Sequence, residues 1–344
     1  MFNRAYVEIT NVCNLRCDFC PGTVRPAGFM TVADFAAAAA ALRPCTDYLY
    51  LHVMGEPLLH PHLEDILKTA DEQGFRVCLT TNGTLLPRRG PALLAAPALR
   101  KVSVSLHSFE GNGGTDATEY LNGVWAFAAA FAGEGRLCAL RLWNEGGAET
   151  QNQAICRLLS EKCGQDVENL PADPLGNRRL APGLYLERAA KFDWPALNAP
   201  AQNVTFCHGL RRQIAVLWDG TVVPCCLDGQ GVMALGNIFT TPLPEILQSP
   251  RAKAIYDGFS RREAVEPLCR RCGYAARFTP CPPPPPCAGS RRCCCGGTMK
   301  TAGISPGGGR CRPTAPGCRK SCCSRPAWRR RSPISSTLWR HSPP

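Results

Sequence analysis

The most informative segment of this chain is Ile9-Thr10-Asn11-Val12-Cys13-Asn14-Leu15-Arg16-Cys17-Asp18-Phe19-Cys20-Pro21. It places three cysteines at CxxxCxxC spacing directly after a short apolar segment, residues 5–9, which predicts a first β-strand. Three thiolates on one loop can hold three corners of a four-iron cluster, whereas such clusters are normally held by four cysteines. The set of Cys13, Cys17 and Cys20 therefore leaves one iron open to a further ligand.

Two other interpretations of these cysteines are a zinc knuckle and a chance grouping in a cysteine-rich chain. A structural zinc takes four ligands close together. The next cysteine, Cys45, lies beyond a predicted helix. The ligand count therefore favours an iron–sulfur cluster over zinc.

Strand-like and helix-like segments alternate from residue 5 to about residue 188. The strand candidates are Ala5–Thr10, Tyr48–Met54, Phe75–Thr80, Lys101–Leu106, Arg136–Leu142 and Leu184–Glu187. The helix candidates are Val32–Leu42, Leu63–Glu72, Pro91–Ala96, Glu119–Ala132 and Glu149–Lys162. Six such units with right-handed crossovers predict an α/β fold, a partial (β/α)6 barrel of the TIM type. Active sites of such sheets lie at the carboxyl ends of the strands, where the cysteine loop also lies.

A second cysteine set follows two stretches, Asn169–Arg179 and Lys191–Asn203, that we interpret as linkers. A hairpin is predicted around Asp219-Gly220, and two short helices follow it, near Pro244–Gln248 and Arg251–Phe259. The metal-ligand candidates there are Cys207, Cys225, Cys269 and Cys272. Four thiolates suit a closed site, and spacing alone does not separate zinc from iron–sulfur. We expect residues 1–195 to form the barrel and residues 196–277 a small cysteine-rich domain of a β-hairpin and helices.

The CxxxCxxC spacing resembles the signature of the radical S-adenosylmethionine (radical SAM) enzymes. The resemblance implies a [4Fe-4S] cluster whose open iron binds the methionyl end of SAM, and reductive cleavage of SAM to a 5′-deoxyadenosyl radical that abstracts hydrogen from a substrate. It also implies that Phe19 lies against the adenine. Met54-Gly55-Glu56-Pro57 resembles the family's GGEP motif with Met54 in place of the first glycine.

That motif implies that Gly55, Glu56 and Pro57 meet the amino group of SAM; an ordinary strand-to-helix turn is the alternative. Small polar residues end the later strands, and by resemblance they contact the rest of SAM. The candidates are Asn82, Ser105, Arg141 and Asn144. Capping and turn roles are the alternative for each.

The later cysteines resemble the auxiliary-cluster region of the SPASM/Twitch radical SAM enzymes, including a Gly-x4-Cys at the hairpin, Gly220 to Cys225. The full SPASM pattern continues with further cysteines, which do not follow here before residue 278. We therefore expect one auxiliary [4Fe-4S] cluster. Cys226 competes with Cys225 as the ligand, and the Gly-x4-Cys spacing favours Cys225.

Together these features predict a radical SAM enzyme with a peptide or protein as the leading substrate class, and with flavodoxin or ferredoxin as reductant. The alternative is a non-enzymatic iron–sulfur or zinc protein, a scaffold or electron carrier on the same fold. Neither a membrane span nor a signal peptide is predicted. Because the cluster cysteines must stay reduced, we expect a cytoplasmic protein.

The net charge of +12 lies entirely in the last part of the chain. Residues 278–344 contain 12 Lys or Arg and no Asp or Glu, which leaves 27 basic and 27 acidic residues in 1–277. The balanced body predicts no nucleic-acid partner. Residues 278–344 form a low-complexity basic segment that is either a disordered arm or an out-of-frame read. We favour the out-of-frame read, because residues 278–344 contain no Asp or Glu and their cysteines are clustered.

Overall fold

The computed structural model describes residues 1–278. Ten strands form one sheet in the order β10-β9-β8-β1-β2-β3-β4-β5-β7-β6. The strands are β1 Arg4–Val7, β2 Tyr48–Tyr50, β3 Arg76–Thr81, β4 Leu99–Ser105, β5 Leu137–Glu145, β6 Arg178–Ala181, β7 Leu184–Ala190, β8 Gln213–Val216, β9 Thr221–Val223 and β10 Gly236–Asn237. The predicted segment 278–344 lies outside the described residues except for Phe278.

The helices flank this sheet. They are α1 Val32–Leu42, α2 Leu63–Glu72, α3 Leu86–Leu94, α4 His107–Glu110, α5 Thr118–Gly133, α6 Asn152–Cys163, α7 Leu243–Gln248, α8 Pro250–Ser260 and α9 Gly273–Ala276. Two short 3-10 helices cover Pro57–Leu59 and Cys269–Arg271. Helix α1 begins as its sequence predicts, because the Thr31 hydroxyl accepts a hydrogen bond from the N–H of Asp34.

Six parallel strands, β1 to β5 and β7, confirm the predicted α/β architecture. Their outer faces pack against the helices through a continuous apolar core that includes Val7, Leu79 and Val102. The alternate residues, such as Tyr6, Tyr50 and Thr80, lie on the opposite, inner face of the curved sheet. The inner face is therefore the polar one.

Two strands are not among those predicted, β6 and the two-residue β10. Arg178–Ala181 forms β6, which pairs antiparallel with β7. The first two residues of β6 belong to the segment Asn169–Arg179, so the prediction of a linker is wrong at that end. The segment is short, with two arginines, so its pairing with β7 rather than an apolar pattern makes it a strand.

The predicted hairpin of the second cysteine region is present as β8 and β9, which pair antiparallel. It does not form a separate sheet. Strand β8 pairs in parallel with β1, so that Tyr6 lies opposite Ala215. The auxiliary hairpin thus extends the barrel sheet, and β1 lies between the two cysteine sets. In the described part of the chain, no helix is long and apolar enough to cross a membrane.

Candidate active site and auxiliary thiol site

The three cysteines of the first motif lie together in the loop between β1 and α1. Burial raises the pKa of each thiol. The charge of a neighbouring thiol raises it further: Cys17 acts on Cys13, Cys20 acts on Cys17, and Cys13 acts on Cys20. Cys13 and Cys20 are exposed and Cys17 is half-buried. Three neighbouring thiols on one open loop fit the donor set of a cluster with three protein ligands.

Asn112, just after α4, holds this loop and was missed in the sequence. Its Nδ2 donates to Cys17 Sγ at 3.0 Å, and its Oδ1 accepts the N–H of Arg16 at 2.8 Å. Backbone bonding continues next to it, with the N–H of Asp18 donating to the Gly111 carbonyl at 3.0 Å. A donor to a ligand sulfur stabilises the thiolate form, so Asn112 supports both the shape and the charge of the site.

The turn Gly55-Glu56-Pro57 packs directly on the cysteine loop. Gly55 has φ +74°, and a Cβ there would lie 2.6 Å from the Thr10 carbonyl oxygen. The N–H of Glu56 donates to the Val12 carbonyl at 2.8 Å. Only glycine permits this close approach, which brings Glu56 beside the first cysteine of the motif.

The Glu56 carboxylate is buried, with 2% exposure. Its oxygens accept the N–H groups of Leu58 at 3.0 Å and Asn82 at 2.7 Å. Burial raises its pKa to about 7, and these hydrogen bonds lower it only in part. A buried carboxylate with this pKa is a strong acceptor for an ammonium group, which would stabilise its charged form.

The carboxyl end of β3 contacts the same loop through Asn82. Its Nδ2 donates to Oδ1 of Asn14, at 2.9 Å, and Asn14 donates to the Thr84 hydroxyl at 2.9 Å. Near the end of β4, the ring of Phe19 lies 4.8 Å from the ring of His107. The structure thus brings Asn82 and His107 into contact with residues of the cysteine loop.

Ser105 and Arg141 are register partners at the carboxyl ends of β4 and β5, so both lie on the inner face. Arg141 Nε is 2.9 Å from Glu187 Oε2. Asn144 differs, because its buried Nδ2 donates to Asn152 at 3.0 Å and to the Ala148 carbonyl at 2.7 Å. Those bonds close the turn before α6 and occupy the amide. Contact of these residues with SAM stays a prediction.

The second set of cysteines surrounds a cavity of about 230 Å³ at the other end of β1. The four predicted ligands line it, namely Cys207, Cys225, Cys269 and Cys272. Two of the sulfurs also accept backbone hydrogen bonds, Cys207 from Gly209 at 3.5 Å and Cys272 from Ala275 at 3.4 Å. The pair Cys207 and Cys225 thus meets the pair Cys269 and Cys272, although more than forty residues separate the two pairs in sequence.

Cys225 and its neighbour Cys226 lie on different sides of the chain. Cys225 lines the cavity, whereas Cys226 packs with Tyr6, Leu217 and Val223. Burial raises the pKa of the Cys226 thiol, and the nearby Tyr6 hydroxyl acts in the opposite sense. This geometry supports Cys225 as the ligand and gives Cys226 another partner.

Burial raises the pKa of all four cavity thiols, in the case of Cys272 to about 11. The next cause at Cys225 is the charge of Cys207, followed by Cys226, Cys269 and Cys272. Within residues 1–278 no three His, Cys, Asp or Glu side chains converge on a single-ion position. Four thiols spread around a cavity match the donor set of a cluster. Binding of the cluster requires that these thiols lose their protons.

Fold and sites together define an α/β protein with an open three-thiol loop and a closed four-thiol cavity. Family comparison agrees, since residues 7–123 match the Radical SAM superfamily and residues 207–273 match SPASM, an iron-sulfur cluster-binding domain. The chain therefore belongs to the radical SAM superfamily of enzymes and carries a SPASM auxiliary domain. These domains imply a [4Fe-4S] cluster, SAM and auxiliary iron–sulfur chemistry, and the thiols described above fit them.

Among curated proteins, the chain is similar to a tungsten-containing aldehyde ferredoxin oxidoreductase cofactor-modifying protein from Pyrococcus furiosus. The two are 34% identical over 89 residues, which is 24% of each chain. An AdoMet-dependent heme synthase from Methanosarcina barkeri is 32% identical over 102 residues, 29% of each chain. The matched segments thus span 24% and 29% of these two relatives.

Solved structures match over a longer part of the chain. BtrN in complex with AdoMet and 2-DOIA has a TM-score of 0.52 at 20% identity and covers 79% of this chain and 93% of its own. SuiB of Streptococcus suis bound to its precursor peptide SuiA has a TM-score of 0.51 at 16% identity, covering 80% and 70%. At these identities the likeness shows the fold, the partial TIM barrel with its auxiliary extension.

Proposed function

We propose that this chain binds a [4Fe-4S] cluster at Cys13, Cys17 and Cys20, and SAM at the open iron. The observation that carries the proposal is the contact between the cysteine loop and the Gly55-Glu56 turn, which places a buried carboxylate beside three thiols. When bound, the cluster supplies the electron that cleaves SAM to a 5′-deoxyadenosyl radical. The residues of the chain bind and orient the cofactor for that step.

Five of the candidate cofactor-binding residues have a defined part in this proposal. Glu56 accepts the ammonium of the methionyl end, and Asn82 holds Asn14 and thereby the loop between the first two ligands. Phe19 offers its ring to the adenine, and Ser105 and Arg141 offer polar groups at the inner rim. The single auxiliary [4Fe-4S] cluster takes Cys207, Cys225, Cys269 and Cys272 as ligands and exchanges electrons with the site.

The substrate that we propose is a peptide or protein from which the radical abstracts hydrogen, with flavodoxin or ferredoxin as reductant. Support for a peptide comes from the fold shared with SuiB, a protein seen bound to its precursor peptide. All cysteines in the described part of the chain are free thiols, which suits the reducing cytoplasm as the place of action. A non-enzymatic zinc or iron–sulfur scaffold is the competing function.

The test is anaerobic reconstitution with iron and sulfide, followed by dithionite and SAM, with 5′-deoxyadenosine measured by chromatography. We expect its formation by the wild type, none by Cys20→Ala, and retention in Asn169→Ala, a control variant at an exposed loop position. A protein that holds both clusters and forms no 5′-deoxyadenosine would support the scaffold, and bound zinc without iron would exclude the enzyme.

A further inference from the structure

The inner face of the sheet carries a polar cluster in which only Arg141 is among the residues proposed to contact SAM. Strand register places Tyr6, Tyr50, Cys78 and Lys101 in one row across β1 to β4. This row lies four residues before Asn82 along β3, which is about 13 Å at the usual rise of a strand. The row is therefore well below the rim where the thiols and Glu56 lie.

Three cations belong to this cluster through direct contacts. The Arg4 guanidinium lies 5.2 Å from the centre of the Tyr50 ring, over its face. Lys101 Nζ and Arg141 Nε share one carboxylate, that of Glu187, at 2.8 and 2.9 Å from separate oxygens. Because each carboxylate oxygen of Glu187 already has a cationic partner, the group cannot neutralise Arg4 as well.

The surplus of positive charge acts on Cys78, at the centre of the row. Cys78 is buried, which raises the pKa of its thiol, but the charges of Lys101, Arg4 and Arg141 all act on it in the opposite sense. Arg4 pairs with no carboxylate in the part of the chain that the structure describes. Three cations against one carboxylate give this partly buried cluster a net charge of +2, which costs free energy, and Arg4 is the cation without an anionic partner.

His52 supplies an unpaired ring nitrogen in the same cluster. Its Nε2 lies 3.3 Å from the Thr80 hydroxyl, which accepts a hydrogen bond from Arg141 Nη1 at 3.3 Å. Nδ1 is buried and has no hydrogen-bond partner within residues 1–278. In the tautomer in which the Thr80 hydroxyl donates to Nε2, the ring proton lies on Nδ1, which is then a buried donor without an acceptor.

We propose that this inner-face cluster binds an oxyanion of the substrate, a carboxylate or a phosphate, between Arg4, Lys101 and His52. An oxyanion supplies the missing negative charge and the missing acceptor together. In a peptide substrate the group would be an acidic side chain or a terminal carboxylate. The inference rests on the proposed function, since it assigns a substrate class to the same barrel.

The other titratable groups near the cluster do not replace such a ligand. Glu8 lies on the same face but is occupied by Arg25, with Nη2 2.6 Å from Oε2. The Tyr6 hydroxyl interacts with Arg4 and with the Cys226 thiol, and the Tyr50 hydroxyl interacts with the Cys78 thiol, but neither neutral hydroxyl supplies a negative charge. Arg4 also lines the auxiliary cavity, so a binding test is meaningful only with that cavity filled by its cluster.

The experiment is anaerobic isothermal titration of cluster-loaded protein saturated with SAM, which keeps the probes off the SAM carboxylate contacts. Inorganic phosphate is one probe and N-acetylglutamate, which presents carboxylates, is the other. We expect saturable binding of at least one of them, and the tighter probe identifies the kind of oxyanion. Arg4→Met should weaken that binding by fivefold or more, whereas Glu187→Gln, which removes the competing carboxylate, should tighten it severalfold.

Arg157→Met, at an exposed cation on α6, is the matched control and should leave the affinity unchanged. Equal affinities in the wild type, Arg4→Met and Glu187→Gln would overturn the inference, as would the absence of saturable binding. If Arg4→Met fails to fold, the opposite shift expected in Glu187→Gln still decides. A protein that cleaves SAM but binds neither probe overturns this inference alone, and one that binds a probe without cleaving SAM contradicts the proposed function alone.

Discussion

The guanidinium of Arg25 and the carboxylate of Glu8 form a buried ion pair, with Nη2 2.6 Å from Oε2. Glu8 follows β1, and Arg25 belongs to the loop that carries the three cysteines. Arg25 Nε also donates to the Gly229 carbonyl at 2.8 Å, and Glu8 accepts the N–H of Trp218 at 3.3 Å. This pair therefore ties the cysteine loop to both the barrel and the auxiliary hairpin.

Removing the cation from this pair should destabilise the fold markedly. In Arg25→Met the Glu8 carboxylate stays buried without its counter-ion, which costs about 3 kcal/mol or more. We expect a lower urea midpoint, followed by tryptophan fluorescence, together with weaker retention of iron at the first site. Lys68→Met, in an exposed pair with Glu72, is the control and should change stability by less than about 0.5 kcal/mol. Equal effects of the two substitutions would contradict this role.

Gly55→Ala should disrupt the contact between the turn and the cysteine loop. The φ of +74° disfavours alanine, and the new Cβ would lie 2.6 Å from the Thr10 carbonyl oxygen. We expect a loss of about 2 kcal/mol or more in unfolding free energy and at least tenfold weaker SAM binding. Gly133→Ala is the control, since a Cβ at that helical glycine meets no atom within 4 Å. An unchanged affinity in Gly55→Ala would rule out the packing role.

The affinity for SAM should depend on pH through Glu56. Burial raises its pKa from 4.5 to about 7, so the folded chain holds the proton more tightly than the unfolded chain. The stability that this proton contributes is complete below 4.5 and is lost as the pH rises through 7. An ammonium ligand needs the charged form, so SAM affinity should rise roughly tenfold from pH 6 to pH 8.

Calorimetry of SAM binding in two buffers of different ionisation enthalpy measures the linked proton. At pH 6.5 we expect the release of somewhat less than one proton per SAM, falling towards zero at pH 8. Glu56→Gln should bind SAM more weakly, with neither the proton release nor the pH dependence. A wild type without proton release at pH 6.5 would show that Glu56 does not meet the ammonium.

The adjacent cysteines at the auxiliary cavity give a matched pair of variants. Cys225 lines the cavity, whereas Cys226 packs with Tyr6. Cys225→Ala should lose the auxiliary cluster, about four irons per chain, and Cys226→Ala should keep it. Iron analysis and Mössbauer spectra measure both. Loss of iron in Cys226→Ala but not in Cys225→Ala would identify Cys226, and not Cys225, as the ligand.

Much of this structure follows from local sequence signals. Apolar runs and caps predicted the six parallel strands and, for α1 and α2, the observed bounds. Strand β6 was missed because its two arginines carry no strand pattern and only pairing with β7 defines it. The Gly-x4-Cys spacing favours Cys225 as the ligand, and only the folded chain shows that Cys226 packs with Tyr6 instead of lining the cavity.

The candidate site likewise combines residues that sequence motifs predict with residues that only the folded chain brings together. The cysteines and the Gly-Glu-Pro turn are motifs of fixed spacing, so the sequence alone predicts them. Asn112 lies 95 residues from Cys17 in an ordinary loop, and only the folded chain brings its amide to the sulfur. The partners of Asn144 are likewise set by the turn before α6.

The three-thiol loop is best tested in a variant that lacks the other cluster. Cys225→Ala/Cys269→Ala leaves Cys13, Cys17 and Cys20 as the ligands to be observed. After anaerobic reconstitution and reduction with dithionite, electron paramagnetic resonance should show one [4Fe-4S] signal whose g-values change when SAM is added. A reduced cluster whose spectrum is unaltered by SAM would contradict an open iron at these three cysteines.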